Sequence, residues 1–186
     1  KFVYASNMQV DSNTGVITKK TGAGSAWNAQ VYSANAFKGG AYVMFQPTPS
    51  IPTAMVGLNT DPTGNASYSS LDYCIYLHEN KNVHIYESGR NKANVGTYLP
   101  SDVFSVTYDN SMVRYYKNGI LLKETSVGAN KTFYMDSSFH NHSNANKGLA
   151  MLEFGFALGT KGLTGATGAK GARGVGQKGA AGSTAS

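Results

Sequence analysis

The chain has 186 residues, 41% of them apolar and 11% aromatic, with 22 Gly and a formal net charge of +6. That apolar content can build a core, which excludes a wholly disordered chain, and no stretch nears the eighteen consecutive apolar residues of a membrane-spanning helix. The start at Lys1, without a Met or an apolar run, reads as processed or truncated.

In chain order, the first strand candidates are residues 2–5, 15–19, 26–33, 40–46 and 54–59, separated by Gly, Asn, Ser and Pro. Residues 71–78 alternate, with Leu71, Tyr73, Ile75 and Leu77 on one face and Asp72, Cys74, Tyr76 and His78 on the other. Asn80-Lys81-Asn82 reads as a turn into a returning strand that carries Val83 and Ile85 and ends at Glu87-Ser88-Gly89. Residues 103–108 alternate again, Asp109-Asn110 turns, and 112–117 runs into Asn118-Gly119, a strong hairpin signal, before 120–123. Strands at 132–135 and 149–158 close the series. No window sustains a helical period. The pattern predicts an all-β fold, an antiparallel β-sandwich spanning residues 1–158.

At residue 159 the composition breaks. Residues 159–186 hold nine Gly, four cations (Lys161, Lys170, Arg173, Lys178), no acid and no aromatic residue. Most of the charge excess therefore lies in this tail, spaced along it rather than gathered into a patch, so no nucleic-acid partner is expected. Gly159, Gly162, Gly165, Gly168, Gly171 and Gly174 fall at strict three-residue spacing. This is the period of a collagen-like triple helix, in which only a hydrogen fits at the crowded axis. Gly176 arrives one residue early, an interruption at 174–176, and the period resumes through Gly179 and Gly182. Such a segment works only as three chains, so Gly159 to Gly174 predict homotrimerisation and a stalk on the order of 75 Å. No Pro occupies the repeat, so the segment is weak alone and needs another element to hold the chains in register.

Three further stretches complete a recognisable series. These are Met55-Val56-Gly57-Leu58-Asn59, Val83-His84-Ile85-Tyr86-Glu87-Ser88-Gly89 and Val113-Arg114-Tyr115-Tyr116-Lys117-Asn118-Gly119, with Gly96-Thr97-Tyr98 and Asp102-Val103-Phe104-Ser105-Val106-Thr107-Tyr108 between the last two. Together with the 71–78 strand, the series resembles the core of SPRY-like and concanavalin-like jelly-roll domains over residues 40–158. Ser88 stands where that pattern has Asn. Beside collagen-like repeats, such a domain is similar to parts of phage tail fibres and other viral or bacterial surface adhesins. The resemblance implies a lectin-like sandwich that binds a glycan or protein receptor without doing chemistry, on an extracellular or virion surface. The rival class is a structural subunit of a virion or filament, in which both parts serve assembly only. A third is a glycoside hydrolase on the same fold. No enzyme activity and no cofactor are expected.

Candidate binding residues are those placed in loops that can stack on or hydrogen-bond to a sugar: Trp27, Tyr68, Asp61, Asn65 and Arg90. Core packing for Trp27 and turn formation for the others are the competing roles. His140 and His142 sit two residues apart and on an extended segment would face one side; three copies near an axis would offer six nitrogen donors to a metal. Trimeric phage fibres use such a device, which the resemblance implies here, and an exposed polar loop is the alternative. Cys74 is the single cysteine and, inside an alternating strand, reads as an inert thiol.

Overall fold

The computed structural model describes residues 1–158 apart from 6, 51 and 141–146. The collagen-like segment with Gly159, Gly162, Gly165, Gly168, Gly171 and Gly174, and also His142, lie outside the described residues.

In chain order the strands are β1 (Phe2–Tyr4), β2 (Met8–Val10), β3 (Val16–Lys19), β4 (Ala29–Ser33) and β5 (Phe37–Lys38). Then come β6 (Ala41–Pro47), β7 (Ala54–Asn59), β8 (Tyr73–Leu77), β9 (Asn82–Glu87) and β10 (Arg90–Thr97). The last are β11 (Phe104–Tyr108), β12 (Met112–Lys117), β13 (Ile120–Ser126), β14 (Thr132–Phe139) and β15 (Gly148–Gly155). They form two antiparallel sheets. The first runs β1-β4-β14-β7-β8-β9-β10, with β5 paired to β14, and the second runs β13-β12-β11-β6-β15-β3-β2. The chain is thus an all-β sandwich of the jelly-roll kind.

Period-two alternation in each strand explains the layering. Val56, Leu58, Ile75, Leu77, Val83, Ile85 and Met135 of the first sheet meet Val43, Phe45, Phe104, Val106, Val113 and Tyr115 of the second, all fully buried. Each such side chain contributes about 1.5–3 kcal/mol on leaving water. The rings interlock: Phe45 and Phe104 stack at 5.8 Å, and Tyr108 meets Phe133 edge-on at 5.0 Å. Polar links also cross between the sheets, among them Lys117 Nζ on β12 donating to Thr97 O on β10 at 2.6 Å. The Glu87 carboxylate on β9 accepts from Tyr115 Oη at 3.1 Å, Thr125 Oγ1 at 2.6 Å and Lys123 Nζ at 3.3 Å.

Two tight hairpins share one cause. Asn118 and Gly119 have φ of 52° and 78°, and Ser88 and Gly89 have 48° and 73°, the paired positive values that match the twist of the flanking strands. The sequence reading ends a strand at Ser88-Gly89, whereas the chain turns there and continues into β10. It also starts a strand at residue 26. The ladder begins only at Ala29, although the Ala26 amide still donates to His140 O at 3.1 Å, with Trp27 over the sheet face.

Candidate functional site

The outer face of the first sheet carries a second apolar cluster, separate from the inter-sheet core. Two rows of side chains cross it. Following the strand register, one row is Gln30, Ser138, Met55, Tyr76, His84 and Asn94. The next is Tyr32, Asp136, Gly57, Cys74, Tyr86 and Asn91. An outward face on an antiparallel sheet is ordinarily polar. Here its centre is aromatic: Trp27, Tyr68, Tyr76 and Tyr86 pack, half-buried, on buried Met55, Leu71 and Cys74.

Trp27 is the hub. Its ring lies 5.2 Å from Tyr68, 5.6 Å from Tyr76 and 5.3 Å from His140. Tyr76 in turn meets Tyr86 at 5.5 Å, His78 at 5.3 Å and His84 at 5.8 Å. The Asn91 amide nitrogen is 3.3 Å from His84 Nδ1. Burial, with the neighbouring His78, pushes the His84 imidazole below its ordinary value. It is therefore neutral at neutral pH, with one donor and one acceptor nitrogen. Burial pushes the Tyr76 phenol up to about 12, so that hydroxyl keeps its proton and can donate.

Two anchors hold the rings in place. The first is Lys19, at the end of β3 in the second sheet and fully buried. Its Nζ donates to Ala26 O at 2.7 Å, Asn28 Oδ1 at 2.6 Å and His140 O at 3.1 Å. One ammonium thus ties both chain segments that flank the platform, the Trp27 loop and the end of β14. Burial lowers the Lys19 pKa.

The second anchor is Asp136 on β14, also fully buried. Its carboxyl accepts from Gln30 Nε2 at 3.0 and 3.1 Å, Asn59 Nδ2 at 2.8 Å and the Ser137 amide at 2.7 Å. Burial pushes it up to about 7 against the pull of these donors. Around it the loop between β7 and β8 folds onto the sheet: Gln30 Nε2 donates to Pro62 O at 2.7 Å, and Ser138 Oγ donates to Ala66 O at 2.6 Å. The same loop carries Tyr68 on a single 3-10 turn (Tyr68–Ser70) to the edge of Trp27. Gly89 makes room for it, since a Cβ there would meet Ser69 Cα at 3.0 Å.

The structure brings together Trp27 and Tyr68, with His140 beside them. Asp61 and Asn65 are exposed and occupied as turn formers: Asp61 Oδ1 accepts from Thr63 N at 3.1 Å, and Asn65 Oδ1 accepts from Ser67 N at 2.9 Å. Arg90 lies opposite Glu87, whose carboxylate turns toward the second sheet, so this register places Arg90 away from the rings. Among the described residues no group of three or more His, Cys, Asp or Glu is arranged to hold a metal ion. Cys74 Sγ lies beneath the rings and donates weakly to Tyr86 O at 3.7 Å, and burial raises its pKa. Sequence reasoning missed Tyr76, Tyr86 and His84. The available signal was parity, because Tyr76 and Tyr86 fall on the solvent phase of strands whose other phase already supplies apolar side chains such as Ile75, Leu77, Val83 and Ile85. Lys19 and Asp136 left no such signal, since their partners lie up to 121 residues away.

No family model matches the chain, and no curated protein matches it. Solved structures do match. The TRIM65 PSpry domain superposes with a TM-score of 0.60 at 9% identity, covering 82% of this chain and 92% of that one. The SPRY domain of human HERC1 gives 0.55 at 14% identity, covering 80% and 96%. An alginate lyase from Corynebacterium sp. gives 0.50 at 13% identity, covering 83% of each chain. At such identities the likeness is one of fold, a SPRY- and concanavalin-like sandwich found in an enzyme as well as in SPRY domains.

Proposed function

We propose that the sandwich is a non-enzymatic binding module whose aromatic platform, centred on Trp27, captures a glycan. In this reading the Gly-X-Y segment joins three copies into an adhesin or fibre protein at an extracellular or virion surface. The observation that carries it is the set of half-exposed rings on an outer sheet face. Exposed rings are unfavourable in water unless a partner covers them. The partner's chemistry follows from theirs. Neutral rings stack against the apolar face of a pyranose, and phenol, imidazole and amide groups at the rim can satisfy its hydroxyls. The His84 imidazole is neutral and the Tyr76 phenol keeps its proton at neutral pH, equipment for stacking and hydrogen bonding. The likeness to an alginate lyase is one of fold alone, so the reading rests on the rings.

The test is a glycan array probed with the full chain, followed by titration calorimetry on any hit with wild type and Trp27→Ala. Removing the hub ring is expected to weaken binding by about tenfold or more, about 1.4 kcal/mol, with the far-ultraviolet spectrum unchanged. Unaltered affinity in Trp27→Ala would refute the platform. No glycan bound by a chain that still self-assembles would favour the structural-subunit reading.

A further inference from the structure

The Gly-X-Y period begins at Gly159, one residue past Leu158, the last residue described. A triple helix brings its three chains to a common axis, and consecutive Cα atoms are about 3.8 Å apart. If the triple helix starts at Gly159, connectivity holds Leu158 within one Cα step, about 4 Å, and Phe156 within three steps, about 11 Å, of the point where the chains meet. Both are large, apolar and exposed, Leu158 by 67% and Phe156 by 58%, with Leu152 exposed by 46% on the strand leading to them.

Among the described residues, β15 is paired along only part of one edge. β15 pairs with β3 only from Gly148 to Ala150, and the Met151 amide makes one more bond, to Gly15 O at 3.0 Å. On its other side, pairing with β6 continues to Gly155. From residue 152 onward one edge of β15 therefore has no strand beside it among the described residues. Leu152 sits in the register shift between Met151 and Glu153. The segment is nevertheless seated from below. Phe154 packs against Phe2 at 5.2 Å, and a Cβ on Gly40 would come within 3.0 Å of the Phe156 ring. The repeat itself brings four cations and no acid from each chain, so three copies side by side repel one another. With no proline to pre-order it, the repeat needs an attractive contact at its base.

We propose that Leu152, Phe156 and Leu158 are the contact between copies of this chain, packing around the threefold axis where the repeat begins. Their partners are the same residues of the second and third copies. The proposal rests on the three-chain reading given above and locates its register-setting contact.

The experiment is sedimentation equilibrium of the full chain, in wild type, Phe156→Ser/Leu158→Ser and the control Ile120→Ser/Leu121→Ser, which removes an exposed apolar pair at the start of β13. Wild type and control are expected to be trimers at micromolar concentration. The Phe156/Leu158 variant is expected to dissociate at a protein concentration at least about tenfold higher, with the near-ultraviolet spectrum of a folded sandwich. Independently of folding effects in that variant, Leu158→Cys is expected to form disulfide-linked pairs on oxidation with diamide, since thiols meet at the axis and Cys74 is buried. A trimeric wild type whose Phe156/Leu158 variant associates equally well, and whose Leu158→Cys variant forms no covalent pairs, overturns the contact and leaves the trimer standing. A wild type that stays monomeric at 100-fold higher concentration overturns the trimer and the contact together.

Discussion

Replacing Asp136 by Asn tests the buried carboxyl beneath the loop that carries Tyr68. In the fold its pKa is raised from 3.8 to about 7 by burial. Between these two values the native state holds a proton that the unfolded chain has released. Stability from this group is therefore fully present below pH 3.8 and is lost as pH rises toward 7, by about 1.4 kcal/mol per pH unit and about 4 kcal/mol in all. Other carboxylates act in the opposite sense. For Glu87, Asp102 and Asp109, burial raises the pKa, but their hydrogen-bond donors outweigh it and leave each below its ordinary value. Their contribution is present above the unfolded pKa and lost as pH falls through the folded one. The difference between wild type and Asp136→Asn cancels these terms, because both chains contain them. Urea unfolding of both proteins from pH 3.5 to 8 is expected to show the wild type losing about 4 kcal/mol relative to the variant across that range. The absolute offset also includes the mismatch of an Asn amide facing the Gln30 and Asn59 donors, so only the slope is diagnostic. A flat difference would refute the burial argument. A difference that grows in favour of wild type with rising pH would show that Gln30, Asn59 and Ser137 hold the carboxylate ionised.

Two further perturbations test the supports of the platform. Lys19→Met keeps the stem but leaves Ala26 O, Asn28 Oδ1 and His140 O without their shared donor. A loss of about 2–4 kcal/mol is expected, with a red shift of Trp27 emission as its loop loosens; an unchanged Tm and spectrum would remove Lys19 from this role. Gly57→Ala places a Cβ 1.9 Å from Tyr73 O and 2.6 Å from Cys74 Cα, backbone atoms that cannot rotate away. Forcing β7 and β8 apart is expected to cost about 4 kcal/mol or more, seen as lost soluble yield or a collapsed urea midpoint, whereas stability within about 1 kcal/mol of wild type would contradict the close approach.

How the platform is built shows where sequence reasoning runs out. Trp27 and Tyr68 were legible as loop aromatics. Nothing local indicates that they meet, because Trp27 is delivered by the crossing from β3 to β4 and Tyr68 by the loop between β7 and β8. Tyr76 and Tyr86 were visible as strand residues on the outward phase, yet their pairing across β8 and β9 follows from the register. Asp61, Asn65 and Arg90 had the right chemistry for a sugar site. Local geometry occupies the first two as turn formers, and strand parity takes Arg90 off the face.

The sequence by itself determined the class of fold. Alternation of apolar and polar residues sets which side of each strand enters the core, and Asn118-Gly119 sets a hairpin; both are short-range steric and solvation effects that need no partner. It likewise determined the three-residue glycine period after residue 158, since the steric rule behind that period is local to each chain. Tertiary structure alone decided which outward-facing rings become neighbours, and that a lysine from one sheet and an aspartate from the other hold them there. Those contacts join residues far apart in the chain, and their energies exist only once the two sheets have closed and excluded water.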